Sequence, residues 1–462
     1  MDFDIDLIKR LLFRLIRQFK GYSIENVALA IPISKSALSN MENGKRTFSI
    51  QAFEAGMAHM NVHFDVLSIE QREDILDLVA DFIRALYFLD DSQKQDVLQR
   101  FFKLHFNRQK DFHDGYFYLV FLEILVEIDQ IPTALATEEL QAPLINRLRY
   151  LERLIPDLPS DLQTLYALAI LMWFTKSRQW DKSQRFFQTL NLDQEMTRFP
   201  GLIPLVAYYR TKSLAIAPNS MMEVHHLIHH LQDIAHRQRN YLRLMYLDFD
   251  EGVYLMSIGN YKEARSLFHQ LQCSILPFSL SFLAPAIQDN LIWCYLMSQD
   301  FKQSLQKANQ LEAQFGAFPN SNLVFQVYCF YRLGKIQEGQ EALKRLKYSF
   351  SASDQDLQIL NIFEPLLNRA LAPIADRPKL LKAFCTRCEH HWRQYLDTLP
   401  ATRELAIFFV RIQMYEVEQI EDYGEANRLC QILEELCQMR PKVEPLLWSS
   451  TQSTQSLASI ET

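Results

Sequence analysis

Five positions set the rhythm of this chain. Trp180, Tyr261, Phe301, Ile336 and Tyr423 each follow a short polar turn at the head of an apolar, helix-patterned stretch, and lie 81, 40, 35 and 87 residues apart. A period of about 35–42 residues is one pair of helices, and the long gaps are about two such periods. Degenerate units are therefore expected near 200–236 and 355–400. A helix pair cannot bury its apolar face alone, so such units must stack. The pattern predicts seven to nine pairs from about 70 to 447.

The clearest unit runs from Gly252 to Leu271. Gly252 lets two helices approach closely, Gly259 ends the first, Tyr261 packs in the turn, and Ala264 sits at the crossing with Phe268 beyond it. This spacing matches the tetratricopeptide repeat position by position. Weaker copies are Arg178–Ser183, Tyr295–Ser304, Tyr331–Gly339 and Tyr423–Ala426. The resemblance implies a right-handed helical superhelix whose concave face receives a peptide. Candidate peptide-binding residues on first helices are Tyr208, Tyr246, Phe249, Asp289, Asn290, Trp293 and Tyr328, although aromatics at helical spacing are equally core residues.

The N-terminal part is of another kind. Ser23 opens a short helix through Ala30, Ile31-Pro32-Ile33 makes an apolar turn, and Ser34 opens a second helix that ends before Gly44-Lys45-Arg46. Leu38 and Met41 can face a core, while Ser36, Ser39 and Asn40 fall on polar faces. Helix, turn and polar-faced helix followed by cations is the layout of a DNA reader. Residues 7–67 resemble the lambda-repressor/Cro (Xre-type) domain, on Ile16-Arg17, Lys20-Gly21-Tyr22-Ser23, Val27-Ala28, Ile33-Ser34, Leu38-Ser39, Met41-Glu42 and Gly44-Lys45-Arg46. The resemblance implies a five-helix domain, its last two helices drawn from Ser49, Ile50, Phe53, Met57, Met60 and Val62. It also implies an internal ion pair between Arg17 and Glu42. Lys45, Arg46 and Lys20 are the candidate phosphate contacts; Lys35, Ser36, Ser39 and Asn40 are the candidate base readers. Ile24 stands where the family usually has Gln, which removes one DNA contact.

Charge agrees with that division. From Lys9 to Arg46 there are eight cations and two anions, a net +6 in a chain of −7, so −13 remains elsewhere. A basic patch on an acidic body is the electrostatic footprint of a DNA-binding module.

Between the two parts, residues 68–110 read as a helical linker. Ile75, Leu78, Val79, Phe82, Ile83, Leu86 and Leu89 form one apolar face, with Leu98, Phe101, Phe102 and Leu104 after it. Residues 448–462 read as a polar, disordered tail. Apolar content is 48% and Gly is scarce at 11, which suits an all-α chain with a large core. No apolar run reaches the ~20 residues of a membrane span. Seven scattered cysteines, with no signal pattern at the N-terminus, suit reduced thiols in the cytoplasm.

Two clusters invite metal chemistry. Cys385-Thr386-Arg387-Cys388 with His390 and His391 lacks the second half of a zinc knuckle. His225/His229 and His226/His230 are helical i, i+4 pairs, each at most half a site, without an H-E-x-x-H arrangement. No metal or other cofactor is expected. Phosphate loops, nucleophile elbows and dinucleotide fingerprints are all missing from the sequence, so nothing supports an enzyme.

An Xre-type reader joined to a tetratricopeptide-like array resembles the peptide-responsive Rgg/PlcR/PrgX/NprR regulators. That resemblance implies a homodimer that binds double-stranded DNA under control of a short signalling peptide. Two other readings fit the same sequence: a repeat protein that sequesters a protein partner, and a ligand-independent regulator whose array only oligomerises.

Overall fold

The computed structural model describes residues 5–438, apart from 66, 109–110, 114, 133–134, most of 178–200, 215–220, 276–282, 317–320, 350–353 and 397–401. The Trp180 turn and the 448–462 tail lie outside the described residues. The fold is all-helical in class, and the chain divides into two compact units, 1–210 and 211–462.

In the first unit, α1 (Ile5–Phe19), α2 (Ile24–Ala30), α3 (Lys35–Glu42) and α4 (Ile50–His59) enclose a small core. Ile8, Leu11, Leu12, Phe13, Ile16, Val27, Leu38, Met41, Phe53 and Met57 are buried in it. Ser23, Ser34 and Ser49 each accept a hydrogen bond from the backbone N–H three residues on, at 3.1, 3.1 and 3.2 Å. Each such cap holds its helix start by roughly 1 kcal/mol.

Residues 49–62 hold one helix, Ile50–His59, where the sequence predicted two. The chain leaves α4 through Asn61, whose φ is +53°, a conformation Asn tolerates better than most. It then extends as β1 (His63–Asp65), which pairs in parallel with β2 (Asp111–His113). Phe64 meets Phe53 edge-on at 5.0 Å, so this minimal ladder is fastened to the four-helix core.

The expected linker is two packed helices. α5 (Ile69–Phe88) starts with a capping box between Ser68 and Gln71 and buries Ile75, Leu78, Val79, Phe82, Ile83 and Leu86. Leu89, expected on that face, instead ends the helix with φ +58°. α6 (Asp91–Arg108) returns along α5, held by Arg100 Nη1 to Asp81 Oδ2 at 2.8 Å; Phe102 is exposed. α7 (Tyr116–Gln130), α8 (Ala142–Glu152) and α9 (Ser160–Lys176) follow in this unit, and α10 (Leu202–Leu214) runs past its end at residue 210. Tyr118 donates to buried Asp161 at 2.7 Å.

The second unit is a sequential stack: α11 (Met221–Arg237), α12 (Tyr241–Ser257), α13 (Tyr261–Ser274), α14 (Ala284–Met297), α15 (Phe301–Phe315), α16 (Gln326–Arg332), α17 (Ile336–Ser349), α18 (Asp354–Leu371), α19 (Arg377–Leu396), α20 (Thr402–Glu418) and α21 (Tyr423–Gln438). From α11 to α21, each helix packs on the next. A single core cluster runs from Val224 to Leu436. At Gly252 a Cβ would lie 2.6 Å from the Phe268 ring, so glycine alone allows the α12–α13 approach.

One turn recurs. Leu89, Arg239, Gly259, Gln299, Gly334 and Glu421 all take φ between 55° and 80°. The residue after each sends its N–H back to the carbonyl five residues earlier, over 2.8–3.4 Å, closing the preceding helix. Four of those following residues, Asp90, Asn240, Asp300 and Asp422, also cap the next helix with a side-chain oxygen. Among the described residues no helix is long and apolar enough to cross a membrane.

Candidate nucleic-acid interface and array residues

At about 100° per residue, Leu38, Met41 and Glu42 define one arc of α3, and they are its buried residues. Ser36, Asn40 and Asn43 lie diametrically opposite and are exposed. Lys35 and Ser39 fall on the flank. Asn43 was not singled out from sequence, yet it shares the face with Asn40 and donates to Ser39 Oγ at 3.3 Å.

The buried arc is locked by charge. Arg17, 7% exposed, and Glu42, 4% exposed, meet in a bidentate pair, Nε to Oε1 at 2.5 Å and Nη2 to Oε2 at 2.8 Å. The third guanidinium bond, Nη1 to the Tyr22 carbonyl at 2.9 Å, reaches the turn before α2. α1 thus fixes both the angle of α3 and the entry to α2.

Much of the N-terminal positive charge is engaged within the protein. Lys20 Nζ bonds the Met60 carbonyl at 2.6 Å and closes the end of α4. Lys35 pairs with Glu25, whose carboxyl it holds below the usual range. Lys9 lies over the Phe53 ring at 5.6 Å. The Arg10 guanidinium packs where a Gly44 Cβ would sit, 1.6 Å from Nη1, and Gly44 has φ +73°. Ser36 Oγ lies 3.0 Å from the capping Ser34 Oγ. Lys45 and Arg46 are exposed, and their N–H groups both bond the Asn40 carbonyl, at 2.9 and 3.2 Å. They stand at the end of the polar face, oriented by α3 itself.

In the array, five of the seven candidate residues are enclosed between helices. Phe249, Asp289, Asn290, Trp293 and Tyr328 are buried. α14 is buried on every side from Pro285 to Met297, because helices pack on it from both directions. Phe249 meets Phe268 edge-on at 5.7 Å. Trp293 packs on Phe325 and Phe408. Asp289 accepts from the Asn322 N–H at 2.7 Å and from its amide at 3.1 Å; burial pushes its carboxyl up to about 7. The Tyr328 hydroxyl accepts from Arg332, whose guanidinium also sits 3.8 Å from the Tyr415 ring centre. Tyr208 and Tyr246 are half-buried. Asn290 differs: it is fully buried, and neither amide atom has a partner among the described residues. The Cys385–Cys388 segment lies within α19, where burial raises both thiols, Cys385 to about 11.

No protein-family model and no curated protein sequence matches this chain. Solved structures do. The apo form of the quorum sensor NprR from B. thuringiensis matches with TM-score 0.56 and 14% identity, over 79% of this chain and 99% of that one. In fold, the chain is similar to NprR. A Rap protein complexed with competence and sporulation factor matches with TM-score 0.50 and 15% identity, over 79% and 98%. The apo form of RapI matches with TM-score 0.52 and 12% identity, over 79% and 96%. The NprR- and Rap-like helical fold is thereby assigned; at such identities no binding residue transfers.

Proposed function

We propose that the chain is a cytoplasmic transcription regulator that reads double-stranded DNA through α3 as a homodimer, controlled by a short peptide bound in the helical array. The reading rests on one observation above others: the exposed Ser36–Asn40–Asn43 face, held by the buried Arg17–Glu42 pair and followed by exposed Lys45 and Arg46. Asn40 is the base reader in this scheme, since an amide can bond adenine in bidentate fashion. Lys45 and Arg46 bind phosphate. Lys20 and Lys35 contribute less, because their ammonium groups already serve Met60 and Glu25.

The likeness to the quorum sensor NprR and to a Rap protein complexed with competence and sporulation factor supports the peptide. A peptide backbone reaching Asn290 would satisfy both its amide atoms, at the cost of separating the helices that now cover it. Such a ligand acts by preferring one arrangement of the array, and thereby one spacing of the two readers.

The test is selection from a random DNA pool at two salt concentrations. An enriched inverted repeat with half-sites about one helical turn apart supports the reading. Asn40→Ala should then relax sequence preference, and Arg46→Ala should weaken binding to all sequences and flatten the salt dependence. Recovery of unselected DNA, bound only at low salt, defeats it and favours a partner-sequestering repeat protein.

A further inference from the structure

His225 and His229 stand one turn apart on α11, and Glu251 reaches them from α12, which packs against it. One ligand atom from each lies within 4.8 Å of the other two. His229 Nε2 and Glu251 Oε1 are 3.6 Å apart. Tetrahedral bonds of about 2.0–2.2 Å place neighbouring ligand atoms roughly 3.4 Å apart, so this edge already has coordination spacing.

The surroundings suit such a role. The His225 ring stacks on Tyr254 at 5.2 Å and meets the His229 ring edge-on at 4.3 Å. Its Nδ1 is buried and has no hydrogen-bond partner among the described residues. Burial, then His229, hold its pKa below the usual value, which favours the neutral imidazole that binds metal. The other Glu251 oxygen accepts from Gln232 Nε2 at 2.8 Å, and that amide also donates to Asp248 at 3.0 Å. Ligating carboxylates are commonly oriented by bonds of this kind.

We propose that His225, His229 and Glu251 form a transition-metal site, suited to Zn(II), that pins α11 to α12. Two imidazoles and a carboxylate favour zinc over magnesium or calcium, which take oxygen ligands. The fourth position is left to water. An ion there cross-links the first two helices of the second unit, in addition to the apolar contacts of Val224 and Ile228 with that unit's core.

The experiment titrates Zn(II) into the full chain near neutral pH against a chromophoric chelator and follows the melting temperature with and without the metal. Expected are one equivalent bound and a raised melting temperature. Glu251→Gln, which keeps the size and the Gln232 contact, should weaken binding by about ten-fold or more and abolish the thermal shift. A paired His226→Ala/His230→Ala variant should bind as the parent does. Metal-free melting of Glu251→Gln at the parent temperature shows that its fold is kept. The proposal is overturned by no binding, by binding undiminished in Glu251→Gln, or by loss of binding in the His226/His230 variant.

Discussion

Replacing Glu42 by Gln keeps the shape of the side chain and removes its charge. Arg17 would then keep the Tyr22 carbonyl and at most one bond to residue 42, with an amide N–H₂ facing Nη2. Both partners are almost wholly buried, so water cannot compensate. Breaking one side of a buried pair costs about 3–5 kcal/mol. Taking 3 kcal/mol, and about 1.36 kcal/mol per factor of ten, the local opening constant rises roughly 150-fold. Hydrogen exchange on the full chain reads this directly, at amides such as Leu12 in α1 and Leu38 in α3, with Leu291 in α14 as internal control. The paired substitution Arg17→Met/Glu42→Leu should restore most of the protection, because two apolar side chains leave no buried charge. Acceleration below about five-fold (~1 kcal/mol) in Glu42→Gln would refute the reasoning. So would a double variant as weakened as the single one.

Gly252→Ala drives a methyl into the Phe268 ring and should cost about 1–3 kcal/mol in urea unfolding of the second unit. Gln299→Gly relieves a left-handed residue in the α14–α15 turn and should raise the melting temperature, with a gain of up to about 1 kcal/mol; an unchanged or lower value would count against strain at that turn. Asp289 has its folded pKa raised to about 7 by burial, which outweighs the Asn322 bond, with Asp356 adding repulsion. Its folded state therefore binds more protons than its unfolded state, so its contribution to stability is greatest below the ordinary carboxylate range and falls as pH rises through 7. Asp289→Asn should flatten that slope when urea unfolding is compared at pH 5 and 8, and an undiminished slope would assign it elsewhere.

The helical class is legible because apolar residues on α5 and α13 recur with one exposed side, as periodicity requires. The ladder between β1 and β2 is not, since three residues are too few to establish an alternation. Ser23 and Ser34 announce their helices because capping is a local bond between neighbours in sequence. The burial of most array candidates is not legible, for the opposite reason. Asp289, Asn290 and Trp293 belong to a helix covered on all sides, and polar and aromatic residues look alike in sequence whether they face a groove or a second helix. The reach of Lys20 to Met60 and of Glu251 to His229 joins separate elements, 40 and 22 residues away, and no spacing rule encodes either.

The recurrent turn gives the array a particular tolerance. Its bonds are all made within a few residues of chain, from the carbonyl that ends one helix to the side chain that starts the next. Left-handed residues at 239, 259, 299, 334 and 421 keep the same backbone bond at each joint while the stretches between them range from 20 to 87 residues. Joint and spacer are thus separable. Duplications or deletions of whole helix pairs leave each elbow intact and change only the number of layers, so a chain built this way can acquire a longer or shorter array without having to invent a new fold.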